Sequence, residues 1–424
     1  MLDRSIAPEI RDIESIDIRK PQQEKLSNGT PVFVFDVIDQ DFIKVELNFD
    51  AGSAHCSRVL IANVTNKLLT EGTRSHSAAE IANLFESYGA FVETSITKDI
   101  AVIGLYTLNK YLAPTLELLA EIIREPVFDQ RELDIHLAQK RDEFMVSMER
   151  VNYIAGAIFP SLLFGREHPY GRVPGIGDFD KVKREQLIDF HQEKYLNGAF
   201  RIMLAGKVSQ DAVQLLDKYF GGFNNAGKLT YATRDFTPSE SREHFIEKEA
   251  AVQNALRMGK LVVGRKHNDY AALRITNTIL GGYFGSRLMT NIREDKGYTY
   301  GIGSGLVELR DAAYFYIISE LKSEVTNEAI AEIIKEINKL QTEAVSDEEL
   351  TLVRNYLQGE FQRSFDGPFA LLSRFKEVYY SDLDYSYFEK YIEKVKTINQ
   401  DEILHMANKY WNMDEMYRLV VGKN

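Results

Sequence analysis

Lys194-Tyr195-Leu196-Asn197, followed by an apolar strand-like run and then Gly206-Lys207, returns later as Lys409-Tyr410-Trp411-Asn412, a second such run, and Gly422-Lys423. Earlier in each half, Glu132 to Phe144 (ELDIHLAQKRDEF) is echoed by Glu349 to Phe361 (ELTLVRNYLQGEF). These offsets all lie at about 215 residues, and a fixed spacing of this kind marks a duplicated unit. The chain therefore reads as two homologous halves, 1–223 and 248–424. A linker over 224–247 joins them, entered through the flexible stretch Gly221-Gly222-Phe223-Asn224-Asn225-Ala226-Gly227.

Each half reads as α+β. Lys44-Val45-Glu46-Leu47-Asn48-Phe49 alternates with period two, the pattern of a half-buried strand. Ala78 to Tyr88 and Leu112 to Ile123 place apolar residues three and four apart, as amphipathic helices do. Between them, Ala101 to Tyr106 is a short apolar run suited to a buried strand. Such elements predict antiparallel sheets with helices packed on one face.

The bulk properties set limits on function. At 424 residues and 44% hydrophobic, the chain has material for two cores of ordinary domain size. No run approaches the roughly 18 apolar residues that span a bilayer. The first 20 residues mix acids and bases without the apolar core of a secretory signal. A single cysteine, Cys56, excludes an internal disulfide and fits a reducing compartment. The expected location is cytoplasmic, or periplasmic if a leader has been removed. The net charge of −12 with no clustered Lys/Arg run argues against nucleic acid. It serves solubility, or lines an acidic chamber suited to basic peptides.

Residues 62–73, Ala62-Asn63-Val64-Thr65-Asn66-Lys67-Leu68-Leu69-Thr70-Glu71-Gly72-Thr73, resemble the signature helix of the insulinase/pitrilysin-type metallopeptidases. That family pattern runs Ala-His-x-x-Glu-His, then apolar residues, then Gly-Thr. Two histidines four apart share a helix face and bind zinc, and the glutamate between them is the general base. Here the histidine positions hold Asn63 and Lys67, and the base position holds Asn66. An amide is a poor zinc ligand and an ammonium repels the cation, so no metal is expected in this chain. The eight histidines include no pair at helical ligand spacing, and His55 beside Cys56 is only a loop or core pair. By the resemblance, the more distant ligand position falls near Glu143, beside the Leu163-Phe164-Gly165 and His168-Pro169-Tyr170-Gly171 block, where it reads as a solvated helix residue.

A second block of the family is kept in the C-terminal half. It comprises Ile279-Leu280-Gly281-Gly282, Ser286-Arg287-Leu288, and Ile292-Arg293-Glu294-Asp295-Lys296-Gly297-Tyr298-Thr299-Tyr300. The resemblance makes Arg293 and Tyr300 the Arg/Tyr pair that reaches over a zinc site from the C-terminal domain. Locally, Ser286 to Glu294 predicts a helix, Gly297 a left-handed stop, and Tyr298 onward a strand, which brings Arg293 and Tyr300 near each other. Guanidinium and phenol are both donors, suited to a substrate carbonyl and its oxyanion. A purely structural account gives Arg293 an ion pair with a neighbouring acid and Tyr300 a place on a sheet face, with Tyr298 sharing that face. Arg287 and Tyr283 are expected to support packing.

The resemblance implies half of a clamshell, two homologous domains closing against a zinc-bearing partner with an intact His-x-x-Glu-His motif. The chain would then be inactive alone and supply Arg293 and Tyr300 in trans for hydrolysis of unfolded peptides. This is similar to bacterial two-subunit peptidases and, more distantly, to mitochondrial processing peptidase. The zinc-less mitochondrial subunit carries a long glycine-rich loop, whereas this chain has only Gly281-Gly282-Tyr283-Phe284-Gly285 there, which argues against presequence processing. The respiratory-complex core proteins are also similar, but lack support from any membrane context. The alternative is a structural or peptide-binding homodimer without peptidase activity.

Overall fold

The computed structural model describes residues 18–38, 40–225 and 235–424. Among them, strands β1 (Gln22–Lys25), β2 (Pro31–Asp36), β3 (Ile43–Phe49), β4 (Phe91–Ile96), β5 (Ala101–Thr107) and β6 (Phe200–Gly206) form the first sheet. Strands β7 (Glu243–Glu247), β8 (Gln253–Val262), β9 (Thr299–Glu308), β10 (Ala313–Lys322) and β11 (Tyr417–Gly422) form the second. The first runs β1-β2-β6-β3-β5-β4 and the second β7-β11-β8-β10-β9. With β1 set aside, the two orders coincide strand for strand, so the sequence repeat is a repeat of fold. Part of the expected linker, 226–234, lies outside the described residues, and its last five residues form β7.

The sheets are mixed, not purely antiparallel as expected. In each half the last strand returns after the helices to lie parallel to the first, β6 on β2 and β11 on β7. A strand reached through a helical crossover can pair in parallel, whereas a tight hairpin enforces antiparallel pairing.

Helices also cover both sheet faces, because the halves exchange one helix each. The Pro368–Tyr380 helix puts Leu371, Leu372 and Phe375 into a core with Phe33 and Phe35 of β2 and Met203 and Ala205 of β6. The Val151–Phe164 helix reciprocates, packing Ile154, Phe159 and Leu163 on Ala255 of β8 and Leu419 and Val421 of β11. Phe33 and Phe375 meet with ring centroids 4.6 Å apart. Each half thus completes the other's core.

That exchange explains β3. Its alternation is as read from the sequence, yet every residue from Ile43 to Phe49 is buried. The polar set Lys44, Glu46 and Asn48 faces the other half instead of water. Glu46 bridges Lys44 at 2.7 Å and Lys376 of the exchanged helix at 2.8 Å. Burial alone would raise the Glu46 carboxyl, but Lys376 and Lys44 hold it below its usual value.

Candidate functional site

The Ile61–Leu68 helix carries the altered zinc motif. Its inner face, including Ile61, Val64 and Leu68, joins the first core. Asn63 and Lys67, one helical turn apart, are exposed on the opposite side and line a cavity of about 710 Å³. Asn66 and, on the Gln130–Ser147 helix, Glu143 line the same cavity, so the structure brings these four sequence-selected positions together. Lys67 pairs with Glu71 at 2.7 Å and Glu143 with Lys140 at 2.6 Å.

An amide, an ammonium and a carboxylate already paired with a lysine do not make a zinc site. Among the described residues, no group of three or more His, Cys, Asp or Glu side chains is placed to hold a metal. His55 instead bonds the Asp99 carbonyl at 2.9 Å through a ring nitrogen. Cys56 is half-buried, and its carbonyl accepts from Arg172 at 2.7 Å.

Asn66, expected at the base position, also borders the cavity but is only 2% exposed. Its amide donates to the Ser95 carbonyl of β4 at 3.0 Å and its oxygen accepts the Tyr195 hydroxyl at 2.9 Å. Tyr195 belongs to the Lys-Tyr-x-Asn repeat and is fully buried. Asn66 is thus a structural knot tying helix, sheet edge and repeat together.

The Arg/Tyr block folds differently from the simple helix expected. Residues Thr278–Gly282 and Met289–Asp295 are π-helical turns, a form that recurs at functional sites. Gly281 has no room for a side chain, since a Cβ there would come within 2.7 Å of the Ser304 backbone nitrogen on β9. Gly297 takes the left-handed conformation, φ 64°, as expected. Arg287 forms a two-pronged pair with Glu349 at 2.9 and 2.7 Å, and Tyr283 packs on Tyr356.

Tyr298 and Tyr300 do not share a face. Tyr298 precedes the strand and is half-buried against the C-terminal core, whereas Tyr300 is 89% exposed. A β-bulge begins at Tyr300. Ser319 pairs with Ile302 and Leu321 with Thr299, so Tyr300 and Gly301 together oppose Glu320. The Thr299 hydroxyl fixes the bulge, donating to the Glu320 carbonyl at 2.6 Å and accepting the Gly301 N–H at 3.0 Å.

Arg293 lies over the Phe284 ring at 4.9 Å, with Glu294 at a long 3.9 Å. Tyr300 lines a separate groove of about 560 Å³ with Asn152, Gln253, Arg257 and Glu320, and Arg293 is not among its lining residues. Sequence reasoning missed Arg257. It is 9% exposed, contacts Asn152 Oδ1 and donates to the Leu256 carbonyl at 3.0 Å. Its signal was a lone arginine in the apolar run Ala255-Leu256-Arg257-Met258.

Comparison with known proteins agrees with this architecture. Residues 37–154 match the insulinase (peptidase family M16) profile and residues 181–357 the peptidase M16 inactive domain profile, together more than half of the chain. The chain is 24% identical to an uncharacterized zinc protease of Rickettsia felis, over 92% of this chain and 94% of that protein. It is 22% identical to a probable inactive metalloprotease of Bacillus subtilis, YmfF, over 83% and 87% respectively. Among solved structures, the peptidase M16 inactive domain from Pseudomonas fluorescens superposes with a TM-score of 0.85 at 24% identity, covering 95% of this chain and 98% of that one. A protease from Helicobacter pylori gives 0.83 at 18% identity, covering 95% and 99%.

The chain belongs to the insulinase (M16) peptidase family. With Asn63, Asn66 and Lys67 in its motif helix, it is a zinc-less, non-catalytic member of that family.

Proposed function

We propose that the chain is the zinc-lacking half of a two-chain peptidase, lending Arg293 and Tyr300 to a site completed by a homologous partner with an intact His-x-x-Glu-His motif. The exposure of Tyr300 carries this proposal. A tyrosine kept for packing would be covered, but this one is 89% exposed on a bulge fixed by the Thr299 hydroxyl. Bulges beside active sites commonly re-aim one side chain.

In such a pair, the partner's zinc supplies the activated water. The Tyr300 phenol and the Arg293 guanidinium, donors only at this step, hold the scissile carbonyl and then the oxyanion. An extended peptide can add to an outer strand, β4 or β9. Closure of the two chains admits unfolded peptides only, and the assembly works in the cytoplasm.

The test is turnover of the reconstituted complex. Tyr300→Phe and Arg293→Ala are each expected to slow it about a hundredfold, and unchanged turnover overturns the assigned roles. A second reading, peptide capture without cutting by a homodimer, draws on the cavity at the altered motif. Peptide binding by the chain alone, with no zinc-bearing partner in its native complex, would favour it.

A further inference from the structure

The cavity beside the altered motif has an unusual charge. Arg58, Lys67, Lys98, Lys140 and Arg172 line it, against the single carboxylate Glu143. This is the reverse of an acidic chamber for basic peptides. Lys67 and Lys140 are matched by Glu71 and Glu143, but among the described residues Arg58, Lys98 and Arg172 form no ion pair. Lys98 Nζ donates to the Pro169 carbonyl at 3.3 Å, and Arg172 donates to the Cys56 carbonyl.

The field of these cations registers on their neighbours. Burial, reinforced by Arg172 and only partly offset by Asp99, lowers the Lys98 ammonium below its ordinary value. Burial, then Lys140 and Lys67, lowers the His136 imidazole. Unpaired cations in a partly desolvated recess gain by meeting an anion. The recess also runs along Thr94, Ser95, Ile96 and Thr97 at the end of β4, an outer strand of its sheet. An extended chain laid against that edge delivers its own groups to Lys98 and Arg172.

We propose that this cavity, where an active relative would hold zinc, is an anion-recognition site that takes a carboxylate of an extended peptide between Lys67, Lys98, Lys140 and Arg172. Position Lys67 has exchanged a metal ligand for a fixed positive charge, and the same recess now selects acidic peptide groups. The site belongs to this chain alone and does not rest on Arg293 and Tyr300 acting in trans.

The experiment is fluorescence anisotropy on the full chain, without any partner. Labelled unstructured peptides of one sequence carry a C-terminal carboxylate or its amide, and internal Glu or Gln. The acidic forms should bind about tenfold or more tightly than their neutral counterparts, with affinity falling as salt rises. Preference for the C-terminal acid alone, or for internal Glu alone, identifies which carboxylate is read.

Lys67→Glu with Lys140→Glu should erase the preference. These side chains are 49% and 50% exposed, so the folded chain should persist. Lys98→Met is the more direct variant, with the exposed pair as control should it fail to fold. Equal binding of acid and amide, absence of binding, or a preference untouched by the double variant would each overturn the proposal. None of these outcomes bears on Tyr300 turnover in the complex.

Discussion

The Tyr195 hydroxyl donates to Asn66 Oδ1 at 2.9 Å, joining the repeat signature to the Ile61–Leu68 helix. Both residues are buried, and the Asn66 amide continues the chain of bonds to the Ser95 carbonyl.

Tyr195→Phe should therefore leave a buried acceptor unpaired and lower stability by about 1–3 kcal/mol. Asn66→Asp should cost at least as much, since its oxygens would face the Ser95 carbonyl without a donor. Denaturant unfolding of both variants and their double mutant measures this. Strictly additive losses would show that the bond is not made.

The bulge gives a separable prediction. Thr299→Val keeps the shape but removes the hydroxyl that binds the Glu320 carbonyl and the Gly301 N–H. It should cost about 1–2 kcal/mol and also reduce turnover of the complex. Tyr300→Phe, at an exposed site, should change stability by less than about 0.5 kcal/mol. Thermal unfolding beside single-turnover rates distinguishes the two.

Between the halves, Glu46 should make stability fall on the acid side. Its folded pKa lies below the ordinary value, so its contribution is complete above the ordinary carboxylate range and fades as pH drops through the folded value. Glu46→Gln leaves Lys44 and Lys376 facing each other's charge without the acid between them. It should cost about 3–5 kcal/mol at neutral pH and flatten the acid limb in a pH series of unfolding curves.

The exchanged helices predict that the halves melt together. Phe375→Ala empties a site against Phe33 and Phe35 of the other half and should cost about 3–5 kcal/mol. Calorimetry should show one transition moving down, and a shift confined to one of two resolved transitions would contradict the exchange.

Much of this was legible in the chain itself. Repeats at one offset revealed the halves because Tyr195 and Trp411 anchor equivalent turns, each fully buried. The residues Asn63 and Lys67 could be read directly as poor zinc ligands, since ligand chemistry is a property of residue type. What escaped was set by distant partners. Nothing local tells Glu46 that Lys376 will meet it, so an alternating strand read as half-exposed. Nor does the spacing Tyr298-Thr299-Tyr300 reveal a bulge, because a two-residue periodicity presumes an unbroken ladder.

The most direct test of the central claim is affinity purification of this chain from its native cells, with mass spectrometry of stoichiometric companions and metal analysis of the complex. The account predicts a homologous companion of similar length carrying His-x-x-Glu-His, with zinc in the complex. Recovery of the chain only with itself, free of metal, would contradict it.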